Sequence, residues 1–396
     1  MEKQQSKKPL VRFPEFKDAW EHKRLNELLS EAKKRNEDLK YGKDEVLSVS
    51  GELGIVNQIE HLGRSYAGVS VHQYHVVEVG DIVYTKSPLK ANPFGIIKLN
   101  KGKAGIVSTL YAVYKVNHQT AYGPFIDYYF SLDANTNRYL RPLVKKGAKN
   151  DMKINNAYVL HDRIFAPAIP EQKRIASFFT VLDKKITELK QKQSLLAKYK
   201  KGVMQKMFSQ ELRFKDANGM EFPTWEKKKL GDVALFLDEK RVPISEIERQ
   251  TKKGIYPYYG ASGIIDYVDN YLFDGEYILL GEDGANILNR TTELAFIVLG
   301  KFWVNNHAHI LQAKGNNRFL AESLERINYE PYNTGTVQPK LNASVCKSIP
   351  IEMPCIEEQN KIAILLKTID DKIIRTENQL KQTIQYKKGL LQNMFI

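Results

Sequence analysis

Cysteine is nearly absent from this chain: Cys346 and Cys355 are the only two in 396 residues. Two thiols are too few for a disulfide framework or a cysteine-based zinc site, so both are expected to be free. Long hydrophobic runs are missing as well. No stretch approaches the roughly 18 unbroken apolar residues expected of a membrane span. The opening Met1-Glu2-Lys3-Gln4-Gln5-Ser6-Lys7-Lys8 lacks the apolar core of a secretion signal. The expectation is a soluble chain with no membrane contact and a cytoplasmic location.

Positive charge, by contrast, is plentiful. The 60 lysines and arginines against 46 acidic residues give a net charge of +14 and a pI near 9.3. Basic side chains that neutralise phosphates gain free energy by releasing counterions, so nucleic acid is the leading expectation. A membrane surface would draw a similar balance. Catalytic signatures do not accompany the charge. There is no Gly-x-x-x-x-Gly-Lys-[Ser/Thr] loop for ATP. Asn92-Pro93-Phe94 is one proline short of the Asn-Pro-Pro-[Tyr/Phe] signature of amino-methyltransferases, and no glycine-rich cofactor loop follows a strand upstream. His307 and His309 alternate as on one face of a strand, yet no third zinc ligand is evident, which leaves core or DNA-facing histidines. Asp370-Asp371 reads as helix-surface charge rather than a nuclease site.

The strongest pattern is an internal repeat. Glu171-Gln172-Lys173-Arg174-Ile175-Ala176 returns as Glu358-Gln359-Asn360-Lys361-Ile362-Ala363, an offset of 187 residues from Glu171 to Glu358. The same offset carries Lys153-Ile154-Asn155 onto Lys340-Leu341-Asn342, Tyr199-Lys200-Lys201-Gly202 onto Tyr386-Lys387-Lys388-Gly389, and Met207-Phe208 onto Met394-Phe395. Each copy has a heptad seam: Ile175, Phe179, Leu182, Ile186, Leu189, Gln193, Leu196, Lys200, Val203 and Met207, then Ile362, Leu366, Ile369, Ile373, Thr376, Leu380, Thr383, Lys387, Leu390 and Met394. Pro170 and Pro354 suit helix starts, where early glutamates complement the dipole. Two helices of about 40 residues, roughly 60 Å each, are expected. Polar residues in the seam imply that partner helices complete the bundle.

The front of each half repeats too, with Trp20-Glu21-His22-Lys23-Arg24-Leu25 matching Trp225-Glu226-Lys227-Lys228-Lys229-Leu230, and Phe13-Pro14 and Phe222-Pro223 upstream. Both tryptophans read as core anchors. Between these markers the halves share a plan but not a sequence. Val76–Tyr84 reads as strand, turn, strand, with Phe273–Leu280 as its counterpart, and Ile106–Tyr114 corresponds to Val304–Leu311.

Together these features resemble the specificity subunits of type I restriction-modification systems over essentially the whole chain. The resemblance rests on the doubled Glu-Gln-x-x-Ile-Ala helix ending in Tyr-Lys-Lys-Gly and Met-Phe, on the Trp-Glu-x-x-x-Leu lead-in, and on Tyr258-Tyr259-Gly260-Ala261-Ser262-Gly263. It implies an α+β fold, a tandem duplication of a mixed α/β target recognition domain followed by a long helix. The helices would pack as an antiparallel coiled-coil spacer. The implied boundaries are residues 1–169 and 209–353 for the recognition domains, and 170–208 and 354–396 for the helices. Each domain would read one half of an asymmetric bipartite target in double-stranded DNA. The helices would dock two modification subunits, and restriction subunits would complete the complex. No cofactor, metal or catalytic residue is expected on this chain; S-adenosylmethionine, ATP and Mg would belong to the partners.

Contacts to phosphates and base edges call for Lys, Arg and small polar side chains on exposed loops. In the first domain the candidates are Lys86, Ser87, Lys90 and Asn92, with Lys145, Lys146, Lys149 and Asn150 before the helix. In the second they are Tyr259, Ser262, Glu282, Asp283, Asn305, Asn306 and His307, with Thr334, Thr336, Gln338 and Lys340. Spacing and docking are assigned to Ile175, Phe179, Leu182, Ile186, Leu189, Ile362, Leu366, Ile369, Ile373 and Leu380. Two rival readings stay open, a self-contained DNA-modifying enzyme with an unrecognised site and a basic coiled-coil adaptor. Replacing Lys145 and Lys146 together is expected to weaken binding to all DNA alike and to flatten its salt dependence. Titrations across salt concentrations test this, and loss of one base preference at an unchanged salt slope contradicts it.

Overall fold

The strand Ile82–Thr85 is buried on both faces and its alternate residues feed different cores. Ile82 and Tyr84 pack with Ile97, Leu99, Ala112 and Tyr114, while Val83 joins Val77, Val107 and Val113 on the opposite side. This is the period-two arrangement that a β-branched and aromatic sequence supports when both faces are covered. The computed structural model describes residues 8–146 and 152–396. The fold is α+β, in two units: Met1–Gln191 with Glu377–Ile396, and Lys192–Thr376.

In the first unit Ile82–Thr85 lies inside an antiparallel sheet ordered Leu29–Glu31, Tyr111–Val116, Ile82–Thr85, Ile96–Leu99. One face takes the short helix Gly123–Phe130 and the start of the first long helix. The pair His75–Val77 and Gly105–Val107 and the hairpin Leu47–Ser50 and Gly54–Asn57 supply the core on the other.

The second unit repeats those four strands as Ala234–Phe236, Ala308–Ala313, Phe273–Gly281 and Ala295–Val304, then adds Lys253–Gly260 and Gly263–Val268 at the far edge. Lys253–Gly260 joins in parallel, through Tyr258 opposite Trp303 and Tyr259 opposite Val304. The expected strand, turn, strand pattern at residues 273–280 is corrected. In the first unit Gly80, at φ 91°, turns the chain between two strands. Phe273–Gly281 instead runs unbroken, because Gly275 stays in the ladder opposite Gly300.

The repeated tryptophans open strands that dock beside the long helices. Glu21–Arg24 pairs with Arg163–Ala166 and Glu226–Lys229 with Pro350–Met353, each just ahead of a helix. The helices, Ile169–Phe208 and Ile356–Met394, each bury a glutamate in the first turn. Arg12 Nε and Nη2 both donate to Glu171 at 2.7 Å, and the Trp20 indole donates to it at 3.2 Å. The second copy is the same: Arg213 Nε and Nη2 donate to Glu358 at 3.1 and 2.7 Å, and the Trp225 indole donates to Glu358 at 3.1 Å. The next residue repeats its task as well. Gln172 and Gln359 donate to the carbonyls of Pro167 and Pro354. Their side-chain carbonyls accept from Tyr122 N and Asn316 N, the residues that start the two short helices.

This clamp revises the alignment of the two fronts. Arg12-Phe13 corresponds to Arg213-Phe214, and Val11 N to Asn393 O matches Leu212 N to Lys206 O, both at 3.0 Å. A bridged excursion from Lys215 to Glu221 separates Phe214 from Phe222-Pro223.

Each unit pairs opposite ends of the two long helices in antiparallel fashion. In the first, Trp20 and Phe125 pack on Phe395, and Lys387 pairs with Asp183. In the second, Trp225 and Phe319 pack on Phe208, and Lys200 pairs with Asp370 at 2.9 Å. The polar seam positions Lys200 and Lys387 therefore find their partners within the chain, through an ion pair repeated at equivalent positions, without an added helix. Asp370, expected on the surface, is one of those partners and also binds Arg318. Among the described residues no helix is long and apolar enough to cross a membrane, and both cysteines are free.

Removing Arg213 leaves Glu358 buried without its guanidinium, a loss on the order of 3 kcal/mol. Arg213→Ala should lower the urea midpoint of unfolding followed by tryptophan fluorescence, and Arg213→Ala with Glu358→Gln should recover part of it. A single-variant loss below about 0.5 kcal/mol, typical of an ordinary surface substitution, would show that the clamp is dispensable.

Candidate nucleic-acid interface

In the second unit the sheet gathers the expected contact residues at one end. The strands Ala234–Phe236 and Phe273–Gly281 finish there, Ala308–Ala313 begins there, and the parallel strand Lys253–Gly260 turns there into Gly263–Val268. Backbone hydrogen bonds tie the loops together. Asn305 N donates to Tyr259 O at 3.0 Å, Glu282 N to His307 O at 2.8 Å, Leu341 N to Glu282 O at 2.7 Å, and Gly284 N to Pro339 O at 3.0 Å. The loop 334–340 is drawn tight by Asn333, whose Oδ1 accepts from Gly335 N and Lys340 N. A Cβ on Gly335 would lie 1.8 Å from Gln338 O, so only glycine fits. Thr334, Thr336, Gln338 and Lys340 are exposed on this loop, as are Ser262, Asn306 and His307 nearby.

Not every candidate faces outward. Asn305 is 6% exposed, and its side chain accepts from His307 N at 2.8 Å, so it shapes the turn instead of presenting an edge. Tyr259 is half-buried against Phe296 and Phe302. Glu282 is engaged by Arg241 at 2.7 Å and by Lys340 at 3.4 Å.

Beneath these loops lies a charge cluster that the sequence reading missed. His309 is 1% exposed, with Nδ1 on Asp238 Oδ2 at 2.6 Å and Nε2 on Leu341 O at 2.7 Å. Both partners accept, so both ring nitrogens carry protons and the ring is an imidazolium. Burial is the largest single influence and opposes that charge, but Asp238 and Cys346 together outweigh it and raise the pKa to about 10. His307 and His309 do not share a face, because His307 lies in the turn before the strand. The signal for Arg241 was a basic residue just after the first sheet strand, a place that Arg35 fills in the other copy.

The first unit presents the equivalent sheet end with opposite charge. Lys86 N donates to Leu110 O, the bond that Glu282 N makes to His307 O in the second unit, so Lys86 stands where Glu282 does. Arg35 Nη1 lies 3.0 Å from His75 Nε2. Burial, Arg35 and Lys86 hold His75 down to about 4, so its ring is neutral. Lys86 is half-buried, and Ser87 and Lys90 are exposed. Asn92, expected as a contact, is 6% exposed and turned inward. Lys145 and Lys146 form a short strand paired with Met152–Lys153. Lys149 and Asn150 lie outside the described residues.

The helix seam also requires a correction. Ile175 and Phe179 are buried in the core of the first unit and Ile362 and Leu366 in that of the second; Leu189 and Ile369 are buried, and Leu182, Ile186, Ile373 and Leu380 are half-buried. They join helix to domain and helix to helix, so a partner would meet other residues. Exposed apolar side chains on the helices include Val181, Tyr199, Ile364, Ile374 and Tyr386.

The chain carries two sheet-and-helix modules in tandem, alike in their helices and unlike in the loops at one sheet end. Residues 223–386 match the family model of the type I restriction modification DNA specificity domain. A putative type I restriction enzyme specificity subunit of Haemophilus influenzae is 38% identical over 144 residues, 36% of this chain and 36% of that one. The putative MjaX specificity subunit of Methanocaldococcus jannaschii is 26% identical over 267 residues, 64% of this chain and 63% of its own. The chain thus spans less than two thirds of the length of either relative. In fold, the crystal structure of the type I S subunit from M. genitalium superposes over 98% of this chain and 99% of that one, with a TM-score of 0.61 at 15% identity. In sequence over residues 223–386, and in fold over nearly its whole length, the chain is similar to type I restriction-modification specificity subunits.

The protonated His309 has a measurable consequence. Its pKa is raised on folding, so its stabilisation is complete below the ordinary imidazole value near 6.5 and is lost as pH rises toward 10. Between pH 6.5 and 9 the unfolding free energy should fall by up to about 1.4 kcal/mol per pH unit. In His309→Gln that part of the slope should vanish; parallel curves for the two proteins would contradict an imidazolium.

Proposed function

We propose that this chain is the sequence-specific DNA-binding subunit of a type I restriction-modification complex and is itself non-catalytic. Residues 1–169 and 209–353 are its two recognition domains, each reading one half of an asymmetric bipartite site in double-stranded DNA. Residues 170–208 and 354–396 set the gap between half-sites and dock two modification subunits through exposed helix faces. Restriction subunits join that assembly. S-adenosylmethionine, ATP and Mg are used by the partners, in the cytoplasm.

The observation that carries this reading is the substitution of Glu282 for Lys86 at the same sheet end of two otherwise repeated scaffolds. A shared frame with unlike loop chemistry suits a protein that reads two different sequences, since base edges are told apart by donors and acceptors. The basic composition supplies the phosphate attraction common to both.

Mapping N6-methyladenine in cells with and without the chain tests the whole reading: one bipartite motif should disappear. Purified chain given DNA, Mg²⁺ and S-adenosylmethionine should neither cut nor methylate. Matched insertions of four residues near Gln193 and Leu380 lengthen each helix by about 6 Å. The spacer should grow by about two base pairs, with both half-sites retained. An unchanged spacer with an altered half-site would refute the ruler.

A further inference from the structure

We propose that His307 is a specificity-determining residue of the second recognition domain, whose Nε2 accepts a hydrogen bond from the exocyclic amino group of an adenine or a cytosine in the major groove. The inference rests on the reading above, that this sheet end meets DNA.

The geometry fixes which ring nitrogen is offered. His307 Nδ1 lies 2.7 Å from Asp283 Oδ2. An ionised carboxylate only accepts, so Nδ1 carries the proton, and in the neutral ring Nε2 is then an acceptor. The side chain is 50% exposed, and Nε2 has no hydrogen-bond partner among the described residues. Its backbone is held at both ends, with His307 N on Asn305 Oδ1 and His307 O on Glu282 N, each at 2.8 Å. Asp283 is itself fixed by a backbone bridge to Lys340. The charged groups around the turn are already occupied: Glu282 by Arg241 and Lys340, and Asp238 by His309.

An acceptor presented to the major groove selects a particular pair of bases. The donors there are adenine N6 and cytosine N4, whereas guanine N7 and O6 and thymine O4 only accept. The first unit carries Leu110 at the matching place, 60% exposed and with no side-chain hydrogen-bonding group, so the two domains cannot read a base there alike. Asp283 acts through His307 and is a positioning residue. In Asp283→Asn the amide can donate to Nδ1, which moves the ring proton to Nε2 and turns the acceptor into a donor.

The test is selection from randomised duplexes at pH 8.5 by the full chain expressed with its modification subunits, using wild type, His307→Phe, His307→Gln and Asp283→Asn. Wild type should require adenine or cytosine at one position of one half-site. His307→Phe should lose that preference by about tenfold or more, with the other positions and the salt slope unchanged. His307→Gln, which keeps a carbonyl acceptor, should retain part of it, and Asp283→Asn should admit guanine. A purely structural role would lower affinity without changing base identity. A wild-type motif that His307→Phe leaves intact at every position overturns the assignment to His307, as does selection of guanine or thymine at the affected position. The absence of any bipartite motif for wild type would instead remove the underlying reading.

Discussion

A carboxylate buried in the first turn of each long helix constrains everything else in this fold. Glu171 and Glu358 are almost wholly withdrawn from water, and each is matched by two guanidinium donors and an indole donor. Desolvating a carboxylate is expensive and is recovered only when the donor set is complete. The set therefore has to recur whole: the arginine, the tryptophan, the glutamate and the adjacent glutamine that holds the short helix. With those residues fixed, the lead-in strand, the short helix and the long helix keep one geometry in each unit. The loops at the sheet end are then released from any structural duty beyond closing their turns.

That separation explains how much could be read from the sequence. The helices were legible because a heptad pattern is local, and it recurred at a constant offset. The core role of Trp20 and Trp225 was legible for a similar reason. The ion pairs of Lys200 with Asp370 and of Lys387 with Asp183 were not, since each joins residues far apart in the chain whose meeting depends on antiparallel packing within a unit. Lysines at seam positions looked like an invitation to another helix. Arg213 was hidden by the excursion that separates it from Phe222-Pro223, which broke the spacing that the eye follows. Burial of individual loop residues was the least legible feature. Asn92 and Asn305 have the composition of surface readers, but the side chain of one turns inward and that of the other accepts a bond from its own turn. Side-chain chemistry says what a residue can bind; only the path of the loop says whether the residue faces outward.

The two sheet ends differ in more than the exchange of Lys86 for Glu282. In the first unit a neutral histidine sits between Arg35 and Lys86, and positive charge prevails. In the second, two carboxylates and two cations, Asp238, Glu282, His309 and Arg241, neutralise one another under the loops. A balanced cluster adds little long-range pull on a polyanion, but it rigidifies the backbone that crosses it, because His309 spans from Asp238 to the carbonyl of Leu341. Such a foundation suits recognition by hydrogen-bond geometry, which loses discrimination quickly when donors and acceptors drift. General positive charge and a rigid, nearly neutral loop cluster are separable properties, and the duplicated scaffold lets one chain carry both.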